Sequence, residues 1–188
     1  MAEEGQVKNE KLDAEAEARR RLALAQIRQY PDPVLRMKAR DVGEFEGDLA
    51  RLVERLEELL RDAKGLGLAA TQVGVLRRVF VFQPDPEAEP VALVNARLTG
   101  ASEELVSDDE GCLSLQGVTI PVERHERITV EASDPHGDDI RLELEGLPAR
   151  VVQHELDHLD GILILDRTTP EARREALALV RPQPVLVR

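Results

Sequence analysis

The stretch Pro148–Leu159, reading PARVVQHELDHL, decides how the fold is read. Pro148 suits the first turn of a helix, where its missing N–H costs nothing, and Gly161 suits the stop. In such a helix His154 and His158 lie on one face, one turn above the other. Two imidazoles so placed can reach one divalent ion. Glu155 projects beside the first of them, where it can act as general base toward an activated water. Only 4 histidines occur in the whole chain, and two of them fall at this spacing around a glutamate, which argues against chance on a surface helix.

A catalytic ion usually takes three protein ligands and leaves one position open. In the longer H-E-x-x-H-x-x-G-x-x-H pattern Gly161 is in place, but the last histidine falls on Ile164, which cannot coordinate. A glutamate from a following helix is one source of a third ligand, with Glu171 and Glu175 as candidates. The other is Cys112, in the Gly-punctuated segment Glu110-Gly111-Cys112-Leu113-Ser114. A lone cysteine is more often a small buried hydrophobe. Beside two histidines that lack a partner it becomes the favoured ligand, and a thiolate with two imidazoles is a softer set than two imidazoles with a carboxylate. A further segment, Gly65-Leu66-Gly67-Leu68-Ala69-Ala70-Thr71-Gln72, lacks the G-K-[ST] ending of a phosphate loop and follows a helix rather than opening one. Its glycines allow close approach of backbone to a ligand, and the Gln72 amide can donate to a developing oxyanion.

Outward from these segments, Leu49, Leu52, Val53, Leu56, Leu59, Leu60 and Ala63 keep the spacing of an amphipathic helix capped by Asp48 and ended at Lys64-Gly65. Strands are expected at Val79–Phe82, Val91–Asn95, Ile128–Ala132 and Ile140–Leu144, with a hairpin turn at Asp134-Pro-His-Gly137. A short helix is expected over Arg173–Val180, stopped by Pro182. Helices bracket a block of strands, so the class is α+β. Residues 1–26 are rich in Glu, Ala and Arg and read as a charged extension, helical from Asn9 or disordered, with the solvated, partly disordered form favoured; residues 27–188 form one catalytic domain. His125 and His136 read as structural or exposed.

Composition removes other readings. With 25 basic against 37 acidic residues the net charge is −12, a poor match to a nucleic-acid backbone. Aromatic residues make up 2% of the chain, too few for a base-stacking platform. No apolar run approaches the ~20 residues needed to span a bilayer, and the first ten residues lack the apolar core of a signal peptide. One cysteine excludes an intrachain disulfide and suits a reducing, cytoplasmic location.

Three segments together resemble the signature motifs of the peptide deformylases, in order and separation: G-x-G-x-A-A-x-Q at Gly65, Gly67, Ala69, Ala70 and Gln72; E-G-C-L-S at Glu110–Ser114; and Q-H-E-x-D-H at Gln153–His158. Tyr30-Pro-Asp-Pro-Val-Leu35 is similar to the family's opening, and the resemblance runs from about Ile27 to Leu179. It implies an α+β fold with a central metal helix among antiparallel strands. Cys112, His154 and His158 would hold one divalent ion, Fe2+ in the cell with Zn2+, Ni2+ or Co2+ able to replace it. Glu155 would be general base and then acid, and Gln72 with the Leu113 N–H would bind the oxyanion. Gly67 would contact the substrate backbone and Gly111 would border the peptide. Leu66, Leu147 and Val151 are candidate walls of a methionine pocket, or simply core. The substrate implied is the N-formylmethionyl end of new polypeptides. Ribosome contact through a basic C-terminal segment is a further expectation, since five Arg face two Glu from Arg167 onward. Asp157 is expected to pair with Arg124. Two departures stand out: Leu115-Gln116-Gly117 where Pro and Gly are usual, and Thr119 where the family often has a substrate-contacting Arg. The opening extension is also longer than usual.

Overall fold

The computed structural model describes residues 2–45, 47–85 and 88–180, with side chains of the first helix described from Asp13 onward. Among these residues the helices are α1 (Ala2–Gln26), α2 (Asp48–Ala63), α3 (Gly146–Leu159) and α4 (Pro170–Leu179). The strands are β1 (Gly67–Ala69), β2 (Val79–Phe82), β3 (Val91–Ala101), β4 (Leu105–Gly111), β5 (Thr119–His125), β6 (Arg127–Ser133) and β7 (Asp139–Glu145). Five strands form an antiparallel sheet in the order β1-β2-β3-β6-β7, and β4 pairs with β5 in a separate two-stranded ribbon. The α+β class is the observed one.

The run Val79-Phe-Val-Phe82 shows why helices lie on both faces of the sheet. Successive side chains of a strand point to opposite faces. Val79 and Val81 pack with Leu49, Leu56 and Leu60 of α2, whereas Phe80 and Phe82 pack with Ala149, Val152 and Leu159 of α3. A strand covered on both sides reads as continuously apolar. A third apolar cluster joins Leu35, Ile120 and Val122 of the ribbon, Leu163–Leu165 and Ala176 of α4. Helix α3 sits between the large sheet and the ribbon, touching β1 and β2 on one side and β5 on the other.

Local signals account for most boundaries. Lys64 closes α2 in the left-handed conformation, with φ 57°. Asp48 opens that helix as its first residue rather than capping it, and pairs with Arg51 one turn on. In the β6–β7 hairpin, Asp134 Oδ1 accepts from His136 N at 2.8 Å and Asp138 N at 2.9 Å, and Gly137 takes φ 95°. Past the end of α3, Gly161 has φ 73°, and a side chain there would meet the Arg36 carbonyl oxygen at 2.5 Å, so only glycine fits. Thr169 caps α4, its side chain accepting from Ala172 N at 3.2 Å, so this helix begins three residues earlier than Arg173. Pro182, the expected stop, lies outside the described residues.

Two features depart from what the sequence favours. The charge-rich opening segment is helical from Ala2 to Gln26, although it carries no regular apolar stripe. Its last turn and the residue after it supply the reason: Ala23 and Ile27 are buried in the α2 cluster, and Arg20 Nε donates to the Ala63 carbonyl at 3.4 Å. Strands β4 and β5 also escaped, one polar (Leu-Val-Ser-Asp-Asp-Glu-Gly) and the other interrupted by Pro121. Among the described residues no helix is long and apolar enough to cross a membrane.

Candidate metal centre

The end of β4, the turn that follows it, and α3 bring three donors to one point. Cys112 Sγ lies 3.2 Å from His158 Nε2, and His158 Nε2 lies 3.2 Å from His154 Nε2. The three ligand atoms all fall within 4.8 Å of one another, and among the described residues this is the one such cluster of three or more metal-binding side chains. Glu171 and Glu175, the other candidates for a third ligand, are exposed on α4 and take no part in it.

The donor chemistry fits a divalent ion. His154 Nδ1 is 2.9 Å from Glu110 Oε2. Burial works to raise the Glu110 carboxyl, but hydrogen bonds from His154 and Arg124, with the Arg124 charge, outweigh it and hold the group at about 2. An ionised carboxylate only accepts, so His154 keeps a proton on Nδ1 and turns Nε2 toward the other two donors. Burial pushes His158 well below its ordinary value, which keeps it in the neutral form that can ligate. Burial works to lower His154, but hydrogen bonds with Cys112 and Glu110 outweigh it and hold the ring well above its ordinary value, so without an ion a proton shares this point; a divalent ion would take that proton's place. A tetrahedral ion with ~2.0–2.1 Å bonds separates two nitrogen ligands by roughly 3.3 Å, close to the separation seen here. The Ser114 N–H points at the sulfur from 3.4 Å and the Gln72 amide from 3.7 Å.

Behind the donors, charge is compensated residue by residue. Glu110, 5% exposed, accepts from Arg124 Nε at 2.9 Å and Nη2 at 3.0 Å, and from Arg150 Nη1 at 2.9 Å. The expected Asp157–Arg124 pair is present at 2.5 Å, and Arg167 closes on the same carboxylate at 2.6 Å and 3.0 Å. Sequence reasoning placed Glu110 and Arg150 in no role. The signal was a glutamate two residues before the cysteine ligand candidate, which the strand carries to the rear of His154.

In front, the site opens into a cleft of about 520 Å³. Gly67, Gln72, Gly111, Leu113, Glu155, Leu66, Leu147 and Val151 all line it, with Cys112 and His154 at its floor; His158 lies behind them. Glu155 is 2% exposed, and its Oε2 is buried without a partner. Burial pushes its carboxyl up to about 7, the range of a working general base. Gly67 makes room for it: a Cβ there would stand 2.7 Å from the Glu155 carboxyl carbon. Gln72 is fixed by its neighbours. Its Oε1 accepts from Ala69 N at 2.8 Å, so its NH2 points inward, donating to Ser114 Oγ at 3.1 Å. Leu66 and Leu147 are 39% and 50% exposed, whereas Val151 is buried in the α3 cluster while bordering the cleft.

An α+β frame holding a cysteine and an H-E-x-x-H helix around a buried carboxylate with one oxygen unpartnered is the frame of a metallohydrolase. The family model described as polypeptide deformylase matches residues 24–174. The peptide deformylase of Thermodesulfovibrio yellowstonii is 43% identical over 155 residues, covering 81% of this chain and 93% of that protein. The crystal structure of the Thermotoga maritima peptide deformylase superposes with a TM-score of 0.74 at 42% identity, covering 77% of this chain and 97% of that one. A Synechococcus elongatus peptide deformylase in complex with actinonin gives a TM-score of 0.77 at 35% identity, covering 84% and 91%. The chain belongs to the polypeptide deformylase family.

Proposed function

We propose that this enzyme removes the formyl group from N-formylmethionyl peptides and nascent chains, releasing formate, with Cys112, His154 and His158 holding one divalent ion. The observation that carries the reading is the convergence of that sulfur and the two imidazole nitrogens beside the buried Glu155 carboxylate, whose Oε2 has no partner. When bound, the ion supplies Lewis acidity and lowers the pKa of water toward neutrality. Fe2+ is the ion proposed for the cell, with Zn2+, Ni2+ or Co2+ as substitutes; a mixed sulfur and nitrogen donor set suits all of them.

The residues divide the remaining work. Gly67, on edge strand β1, lets the peptide backbone approach, and Gly111 borders it across the cleft. Leu66, Leu147 and Val151 form the walls for the methionine side chain. Glu155 takes the proton of the attacking water and passes it to the nitrogen as the formyl C–N bond breaks. The Gln72 amide, already aimed by Ala69 N, and the Leu113 N–H donate to the oxyanion that forms on attack. One water is consumed, and formate and a free α-amine result.

Anaerobically purified protein should hydrolyse a formyl-Met peptide in proportion to its metal content. Cys112→Ser should lose or change the ion together with the activity; a variant that keeps both overturns the ligand set. Anaerobic handling matters because a thiolate beside a redox-active ion is readily oxidised. A cytoplasmic location suits a lone cysteine kept reduced. Contact with the ribosome is the remaining proposal for the C-terminal segment. Arg167, Arg173 and Arg174 pair with Asp157, Asp166 and Glu171, and the segment's other arginines, Arg181 and Arg188, lie outside the described residues. If a chain truncated after Val180 sediments with ribosomes as well as the full one, that contact is excluded.

A further inference from the structure

We infer that α1 supplies the outer part of the substrate site, with Arg20 binding a carboxylate on the peptide downstream of the formylated methionine. This rests on the deformylase reading and goes beyond the family match, which begins at residue 24, after Arg20. Arg20 and Leu24 both line the catalytic cleft, beside Gly65, Leu66 and Gly67. Neither is a passing contact. Leu24 packs on the same apolar cluster as α2, next to the buried Ala23 and Ile27. Arg20 Nε reaches the carbonyl of Ala63, two residues before the glycine-rich wall begins. The half-buried guanidinium is thereby held at the rim, and among the described residues its two terminal nitrogens make no hydrogen bond.

Charge bookkeeping around the cleft singles out this residue. Two cations line it, Arg20 and Arg150. Arg150 is buried and saturated by Glu110 and by the carbonyls of Val122 and Val106. Among the described residues no carboxylate forms an ion pair with Arg20. On the loop wall, Gln116, Gly117, Val118 and Thr119 are uncharged, and Asp109 is an exposed anion that disfavours acidic groups on its own side. Strand β1 is the last strand of its sheet, so its outer edge is open to an extended peptide. A peptide lying along that edge past Leu66 and Gly65 comes under Arg20. A guanidinium with free donors at that place selects a carboxylate, whose two oxygens match its fork.

The test compares C-terminally amidated formyl-Met tripeptides carrying Glu or Gln after the methionine, with the Gln peptide also made as a free acid. The full-length, metal-loaded chain should favour Glu over Gln in kcat/KM by roughly two- to fivefold, the scale of one partly exposed charge pair, with the change falling on KM. A higher rate for the free acid than for its amide would place the recognised carboxylate at the peptide terminus instead of the side chain. Arg20→Ala should bring the Glu/Gln ratio to about one, Arg20→Glu should invert it, and Arg20→Lys should retain part of it. The preference should shrink as salt is raised. A ratio unchanged in both Arg20→Ala and Arg20→Glu overturns the inference. If no formyl peptide is turned over by the loaded enzyme, the deformylase reading itself has failed, and this subsite falls with it.

Discussion

The two sides of α3 obey opposite rules. Toward the ribbon, every charged group is answered: Glu110 by Arg124, Arg150 and His154, and Asp157 by Arg124 and Arg167. Toward the cleft, Glu155 is buried with an oxygen left unpartnered, and Gly67 has given up its side chain to admit it. A satisfied network positions groups and resists change; an unsatisfied one holds free energy ready for a substrate. The same helix supports both because its 3.6-residue period sends Glu155 and Asp157, two residues apart, to different sides.

Substitutions on the two sides should fail differently. The largest effect belongs to Glu155→Gln, which should cut kcat by about 10²–10⁴ while metal content, measured on the same sample, is unchanged. Gln72→Ala should cost about 10²–10³ in kcat by removing the proposed oxyanion donor, and about 1–3 kcal/mol of stability because the buried Ala69 N–H loses its acceptor. Gly67→Ala should lower kcat by on the order of 10², because the new Cβ displaces Glu155, and a crystal structure would show the carboxylate moved. Behind the helix, Glu110→Gln should weaken metal affinity by roughly 10–100-fold and destabilise the fold by about 3–5 kcal/mol, read by metal titration and by denaturant unfolding. The smallest effect should come from Arg97→Ala, whose partner Asp41 is exposed: less than about 1 kcal/mol by the same unfolding measurement. A Glu110→Gln variant of full stability, or a Gln72→Ala variant of normal kcat, would erase the distinction between the two sides.

Cleft residues were far easier to find from the chain alone than the groups behind them. His154 and His158 announce themselves by helical spacing, and Cys112 by being the single cysteine near a glycine-punctuated turn. The apolar stripe of α2 and the run at Val79–Phe82 were legible because burial imposes a period on them. Glu110 and Arg150 carry no such period. They meet only because β4 runs antiparallel to β5 and both lie against α3, a long-range arrangement that local sequence does not encode. The ribbon was hidden for a related reason: one of its strands is mostly acidic and exposed, and the other holds Pro121. The helical form of residues 2–26 was obscured by charge, since its cover comes from α2 rather than from its own pattern. Arg20 could not have been placed at the cleft without that docking.

The split of strands into a five-stranded sheet and a detached ribbon has one further consequence. Cys112 belongs to the ribbon side and the two histidines to the helix laid on the larger sheet, so an ion gripped by all three acts as a rivet through the seam. Occupancy then becomes mechanical strength, because whatever binds only the folded chain adds its binding energy to the fold. Starved of its ion, the molecule should part first along that join, with amide exchange quickening in β4 and β5 while the sheet between α2 and α3 stays shut.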